Sequence, residues 1–244
     1  MHKSILSACL VAGALTLAAC GSSHVEPKGP GVAMRGTRPD RIVVQDFTVE
    51  PNAVTLDSGI GPRLARAVGG GNTASQQSET ANKVVRKLSD TLVEQLNTTG
   101  IATSPGRTQS ELAPGYTTLI VSGKVVSINE GNRTRRNVVG LGVGASKVTA
   151  EVDVYLQTPN AAPQLMQSFN ADSESGKKPG LIVAGAGAAA GNAATAAAVG
   201  VGSSVAGEKF GASPEDNAAR MGKQIAETLK NTLFTDQGWI PPSR

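Results

Sequence analysis

Residues 131–156, GNRTRRNVVGLGVGASKVTAEVDVYL, decide how the rest of the chain is read. The second half alternates strictly. Val148, Ala150, Val152, Val154 and Leu156 face one way, and Thr149, Glu151, Asp153 and Tyr155 face the other. That period of two predicts an antiparallel strand with one buried and one wet face. The first half concentrates Arg133, Arg135 and Arg136 ahead of three alternate glycines, Gly140, Gly142 and Gly144. At strand spacing Arg133 and Arg135 share a face and Arg136 takes the other, so the half reads as a hairpin arm. Alternate glycines flatten one side of such an arm and admit a bulge or a close-packed neighbour.

Outward from this strand the elements are plain. Tyr116 to Asn129 is dense in β-branched residues and predicts a central strand; Thr158-Pro159-Asn160 turns the chain, and Gln164 to Ala171 returns it. Upstream, Arg41 to Val49 predicts the first strand, residues 50–72 read as loop, and Thr73 to Gln76 fit a capping box. Ala81, Val84, Val85, Leu88, Leu92 and Leu96 then mark one helical face, which Gly100 ends; Ile101 to Thr103 reads as a short strand and Ser104 to Gly115 as a loop. Downstream, Ser213-Pro214-Glu215-Asp216 supplies a cap, a first-turn proline and acids for a last helix. Its stripe is Ala218, Met221, Ile225, Leu229 and Leu233, and Gly238 and Pro241-Pro242 stop it. Strands grouped together with two principal helices predict an α+β fold: one two-layer domain over 41–238, a mainly antiparallel sheet with helices on one face, and a tail over 239–244.

A Gly/Ala-rich insert interrupts this domain over 179–211 and carries no charge from Pro179 to Gly207. Three readings stay open: a flexible or weakly helical loop insert, a helical hairpin broken at Gly191-Asn192 with small-residue contacts, and a membrane-inserting segment.

The N-terminus gives an address. Lys3, the apolar run Ile5 to Ala14 and the small residues before Cys20 form a secretory signal over 1–19, too short to span a bilayer. Leu17-Ala18-Ala19-Cys20 also has the form of a bacterial lipobox, which implies lipid attachment at Cys20 and removal of the preceding residues; an ordinary signal with a chance cysteine is the alternative. Gly21-Ser22 follow, with no Asp after the cysteine, and by resemblance to Gram-negative lipoproteins this favours the outer membrane. Two acyl chains hold a protein stably on a bilayer. Residues 20–40, rich in Gly, Pro and Ser, read as a flexible tether.

The inventory narrows the chemistry. Cys9 and His2 leave with the signal and Cys20 is the lipid site, so His24 alone remains of the histidines and cysteines. No Ser-His-Asp triad, disulfide or cysteine- or histidine-based metal site can be assembled, and neither metal nor cofactor is expected. Net charge is only +4 and aromatics are 3%, which argues against nucleic acid as a partner. The glycine run is not a phosphate loop: counted from Gly140, Ala145 and Ser146 stand where Gly and Lys belong, and the run enters a strand rather than a helix. Glu151 and Asp153 lie about 7 Å apart on one strand face, a spacing some glycosidases use, but an acidic outward face is the plainer reading. Arg133, Arg135 and Arg136 read either as a solvated turn that discourages edge pairing or as a contact for a carboxylate- or phosphate-bearing partner.

Between Leu119 and Leu156 the chain resembles a bacterial lipoprotein family, domain of unknown function 4410. The matching pattern is a Val-x-Gly strand, then Ile128, Glu130, Gly131, Arg133 and Arg136, a glycine-alternating run, and Ala145 to Val148. The flanking layout over roughly 40–235 is also similar, with Phe47 in the first strand. The resemblance implies an envelope lipoprotein and no known activity. The expected function is therefore a non-enzymatic, lipid-anchored outer-membrane lipoprotein whose periplasmic domain is an adaptor for another envelope protein or peptidoglycan. Its candidate contact residues are Arg133, Arg135, Arg136, Gly140, Gly142 and Gly144. The alternative is a structural or membrane-modulating protein acting through the Gly/Ala segment.

Overall fold

The structure is a computed structural model of the 244-residue chain and describes residues 21–32, 37–69, 72–106, 115–139, 143–176 and 212–241. Among the described residues the strands are β1 Ser22–Pro27, β2 Arg41–Gln45, β3 Thr48–Val49, β4 Val54–Thr55, β5 Ala102–Gly106, β6 Thr118–Asn129, β7 Lys147–Gln157 and β8 Gln164–Glu174. They form one sheet in the order β1-β8-β7-β6-β2-β5, with β3 and β4 continuing along β6 beyond β2. The helices among the described residues are α1 Ile60–Gly69, α2 Thr73–Asn97, α3 Arg133–Val138 and α4 Pro214–Leu229, the last prolonged by a wider turn over Lys230–Phe234.

The alternation of β7 is realised: Val148, Ala150, Val152, Val154 and Leu156 are buried, and Thr149, Glu151, Asp153 and Tyr155 are half-exposed. β6 needs a correction of phase to match it. Leu119, Val121 and Val125 face the core at odd positions, yet Ile128 does so at an even one. The register against β7 slips between Val125 and Ser127, so one extra residue moves the apolar set back to the inner face. Gly123 lies on that inner face under the ring of Phe47, where a Cβ would collide with the ring and with the Glu151 carbonyl oxygen.

α2 and α4 cover the inner face. Ala81, Val84, Leu88, Leu92 and Leu96 of α2 and Ala218, Met221, Ile225 and Leu229 of α4 enter one core with the sheet. Gly222 lets the two helices approach, since a Cβ there would press on Thr91 and the Leu88 carbonyl. At the C-terminus Trp239 folds back onto Phe234 with ring centroids 5.6 Å apart. The expected α+β, two-layer, single-domain class with two principal helices therefore holds, and so do the Ser213 cap, the first-turn proline and the first-turn acids of α4; Asp216 in addition closes a capping box with Ser213.

Five local expectations change. Residues 21–40 are not simply a tether, because Ser22–Pro27 pairs antiparallel with β8 as an edge strand. Residues 50–72 contain one short strand, β4, and α1. The cap of α2 is Asn72, whose side chain accepts from Ala74 N at 2.9 Å, one residue before the predicted Thr73 box. β2 pairs parallel with both β5 and β6, so one end of the mainly antiparallel sheet is parallel; the α2 crossover returns the chain in the same direction. The arginine segment forms α3, not a hairpin arm. The Gly/Ala insert, the expected lipid site Cys20, and Gly140 and Gly142 lie outside the described residues.

Candidate functional site at the arginine and glycine turn

α3 forms because its start is fastened. Asn132 stands in extended conformation and its Oδ1 accepts from Arg135 N at 2.9 Å, the ordinary role of Asn before a helix. Before it, Gly131 has φ +77 and passes so close to the next loop that a Cβ would strike the Gly144 carbonyl oxygen. Gly144 has φ +79 and meets the Asn132 carbonyl in return, while Asn132 N donates to Gly144 O at 2.9 Å. Two left-handed glycines thus let two backbone segments touch.

The three arginines then project at helical intervals and have different fates. Arg136 turns inward: its Nη1 donates to Glu130 O at 3.3 Å and Gly144 O at 3.0 Å. Arg133 donates its backbone N to Asp57 Oδ2 at 3.2 Å, and its Nε lies 3.6 Å from the same oxygen. Arg135 is exposed. Asp57, 2% exposed on its side chain, also accepts from Gly59 N at 2.7 Å, and its backbone carbonyl accepts from Arg66 of α1. Glu130 accepts from Thr80 Oγ1 of α2 at 3.0 Å and from Asp57 N at 2.9 Å. Glu130, Gly131, Arg133 and Arg136 are therefore a clasp tying α1, α2, β6 and the loop before β7 together. Of the arginines, Arg135 and part of Arg133 are left for a partner.

Beside the clasp runs an open groove of about 450 Å³ lined by Ser58, Asn129, Asn132, Arg135, Lys147 and Glu174 among others. It offers two cations and two amides at one end of the sheet. Lys147 Nζ also lies 2.8 Å from Asp172 Oδ1. Partial burial pushes the Asp172 carboxyl up, but the hydrogen bonds from Lys147 and Thr149, with the Lys147 charge, outweigh it and hold the group below its ordinary value.

Under the groove lies a buried polar hub. Ser146 Oγ donates to Ala212 O at 2.7 Å and accepts from Asn217 Nδ2 at 2.8 Å, and its backbone exchanges bonds of 3.0 Å with Ser175. Both Ser146 and Asn217 are fully buried. The hub pins Ser175 and Ala212, the flanks of the Gly/Ala insert, to the start of β7.

The carboxylates of β7 occupy the wet face in cross-strand pairs. Glu151 meets Lys28 at 3.0 Å and Lys124 at 3.9 Å, and Asp153 accepts from Ser168 Oγ at 2.5 Å. The Lys28 hydrogen bond and charge lower the Glu151 carboxyl from its ordinary value. Among the described residues no helix is long and apolar enough to cross a membrane.

Sequence reasoning missed Asp57, Ser146, Asn217 and the whole of α1. The spacing of Ile60, Leu64 and Val68 carried a helical signal, masked by Gly59, Gly61, Pro62 and the glycines at 69–71. Nothing local marks Asp57 or Asn217, since their roles depend on partners 76 and 71 residues away.

Comparison with known proteins gives a family match. The family model described as Domain of unknown function (DUF4410) matches residues 42–192. No curated protein matches the chain. Among solved structures, a dodecamer of a PelC point variant from Paraburkholderia phytofirmans matches with TM-score 0.36 and 13% identity, covering 83% of this chain and 98% of that one. A second PelC dodecamer from the same organism matches with TM-score 0.33 and 14% identity, covering 64% and 86%. Likeness at TM-scores this low bears neither on this chain's fold nor on its function.

Proposed function

This chain belongs to the DUF4410 family, and from its own residues we propose a lipid-anchored outer-membrane lipoprotein whose periplasmic domain is a non-enzymatic binding module for another envelope component. The observation that carries the reading is the place of Cys20. Gly21 alone separates it from β1, whose Ser22 pairs with Glu174 at the end of the sheet that holds the groove. An acylated Cys20 would hold that end against the lipid surface with no intervening tether. The module's contact is the groove, where Arg135 and Lys147 suit a carboxylate or phosphate on a protein or on peptidoglycan. Lack of Cys and His chemistry in the mature chain supports binding over catalysis.

The test has two parts. The mass of the purified N-terminal peptide reports acylation of Cys20. A photo-crosslinker at position 135 in living cells should trap one envelope component, and Lys147→Glu should abolish the product while leaving the protein folded. An unmodified Cys20 refutes the anchor, and a product indifferent to Lys147→Glu refutes the groove.

The hub favours a second reading, a membrane-modulating role for the Gly/Ala segment. Ser146 fixes both flanks of that segment at the end of the sheet where β1 begins at Ser22. Deletion of 181–207 separates the two: a binding module keeps its crosslinked partner, whereas a membrane-modulating protein loses its effect on lipid.

A further inference from the structure

α1 is amphipathic the wrong way round. None of its ten residues is buried. Ile60, Leu64 and Val68 recur every four residues on one side and are 77%, 62% and 82% exposed. Arg66, on a different side, is turned inward and donates to the Asp57 carbonyl. A surface helix ordinarily buries its apolar stripe and shows its charges; here an arginine faces the domain and the apolar stripe faces away.

The helix also lies at a particular place. Ser22, Glu174, Lys147, Asn129 and Thr55 are successive cross-strand partners, one row across the end of the sheet. Four steps of about 4.8 Å put Ser22 and Thr55 roughly 19 Å apart. Cys20 is two residues before one end of this row, and Ile60 is five residues after the other. The start of α3 is held to the turn leading into α1 by the bonds from Asn132 to Ser58 and from Arg133 N to Asp57, and Val138 at its end, with Val139 and Val143, is exposed to solvent. Arg63 and Arg135 are exposed beside these apolar groups, while the nearby Asp57 is turned inward and Glu174 lies in the groove.

We propose that α1, with the exposed valines at and beyond the end of α3, is a second membrane contact that lays this end of the domain into the interface of an anionic bilayer. The inference rests on the anchor reading for its orientation. Apolar side chains with flanking arginines are what an interfacial helix presents to lipid phosphates, and a second weak contact adds to an acyl anchor without needing to hold alone. The anchor at Cys20 brings a bilayer, not a second copy of the chain, to this end of the sheet. Contact at both ends of a row of roughly 19 Å fixes the domain's tilt, which a single lipid attachment leaves free.

The test uses the full acylated chain in vesicles containing phosphatidylglycerol. An environment-sensitive fluorophore is attached at Leu64→Cys or, as a distant control, at Glu94→Cys on the far part of α2. The label at 64 should shift to the blue and be quenched by shallow nitroxide lipids, and the label at 94 should stay aqueous. Equal wetness at both positions in vesicle-bound protein overturns the proposal, as do cross-links between position 64 of two copies in the absence of lipid. If the mass of the N-terminal peptide shows Cys20 unmodified, the anchor reading fails by itself, and docking is then decided by sedimentation of the unacylated chain with the same vesicles. Binding that weakens at least tenfold in the Ile60→Ser, Leu64→Ser, Val68→Ser triple variant, with the unfolding midpoint unchanged, upholds the inference. Absence of binding, or binding indifferent to the triple variant, overturns it.

Discussion

Replacing Ser146 by Ala removes one hydroxyl that works as donor and acceptor at once. The Ala212 carbonyl loses its 2.7 Å donor, and Asn217 Nδ2 loses its 2.8 Å acceptor. Ser146 and Asn217 are fully buried and Ala212 nearly so, which leaves no room for bulk water to take over. A buried polar group deprived of its partner costs about 1–3 kcal/mol, so the two together cost about 2–6 kcal/mol. For a domain of this size each kcal/mol lowers the thermal midpoint by about 2–4 °C, and a mid-range loss of about 4 kcal/mol corresponds to a drop of about 8–16 °C. The assay is urea unfolding followed by the fluorescence of Trp239, the single tryptophan, which is buried against Phe234. The midpoint should fall with the slope unchanged. The effect should also be coupled to Asn217: the Ser146→Ala, Asn217→Ala pair should cost at least about 0.5 kcal/mol less than the sum of the single changes. Because Ser146 pins both flanks of the Gly/Ala segment, proteolysis near Ser175 and Ala212 should accelerate in the Ser146→Ala protein. An unfolding free energy within about 0.5 kcal/mol of the parent, the range of an ordinary surface change, would refute the hub as a structural element.

The arginines should separate by role. Arg136→Ala, which releases two carbonyl oxygens of the clasp, should destabilise by about 1–3 kcal/mol, and Arg135→Ala should stay within about 0.5 kcal/mol, both by urea titration. Gly123→Ala should cost about 1–3 kcal/mol by overpacking against Phe47, and pairing it with Phe47→Leu should recover part of the loss in the same assay. Acid should act through Asp172, whose folded value is depressed. A depressed carboxyl stabilises the fold above its unfolded value of 3.8 and loses that contribution as pH falls through the lower folded value. Lys147→Met should therefore flatten the fall of the thermal midpoint between about pH 5 and about pH 2, and an identical fall in both proteins would exclude the pair as a source of acid sensitivity.

Legibility followed the range of the interactions. The strands β6 to β8 and the helices α2 and α4 were readable because their side chains repeat at the period of the element, two or about 3.6 residues, and the same residues form the core. The Gly131 and Gly144 pair was visible as unusual composition but not as a contact, since its meaning lies in two backbones touching across 13 residues. The arginine segment misled for the same reason. Read alone, Arg133, Arg135 and Arg136 fit a strand, but the Asn132 cap, the Gly144 carbonyl and the distant Asp57 select a helix and turn Arg136 inward. The site was thus legible as a location and not as a division of labour among its residues.

By itself the sequence determined the two-layer α+β class, the alternating face of β7, the apolar stripes and cap of α4, and the scarcity of Cys and His, all of which depend on residue type and short spacing. Only the tertiary structure decided that Ser22–Pro27 is a strand, because an edge strand is held by backbone bonds to β8 that leave little mark on side-chain pattern. It also decided that the motif around Glu130 is a clasp, and that the stripe of α1 points away from the core. Pattern shows that a helix has an apolar side; which way that side faces is settled by what the opposite side grips, here the carbonyl of Asp57 through Arg66.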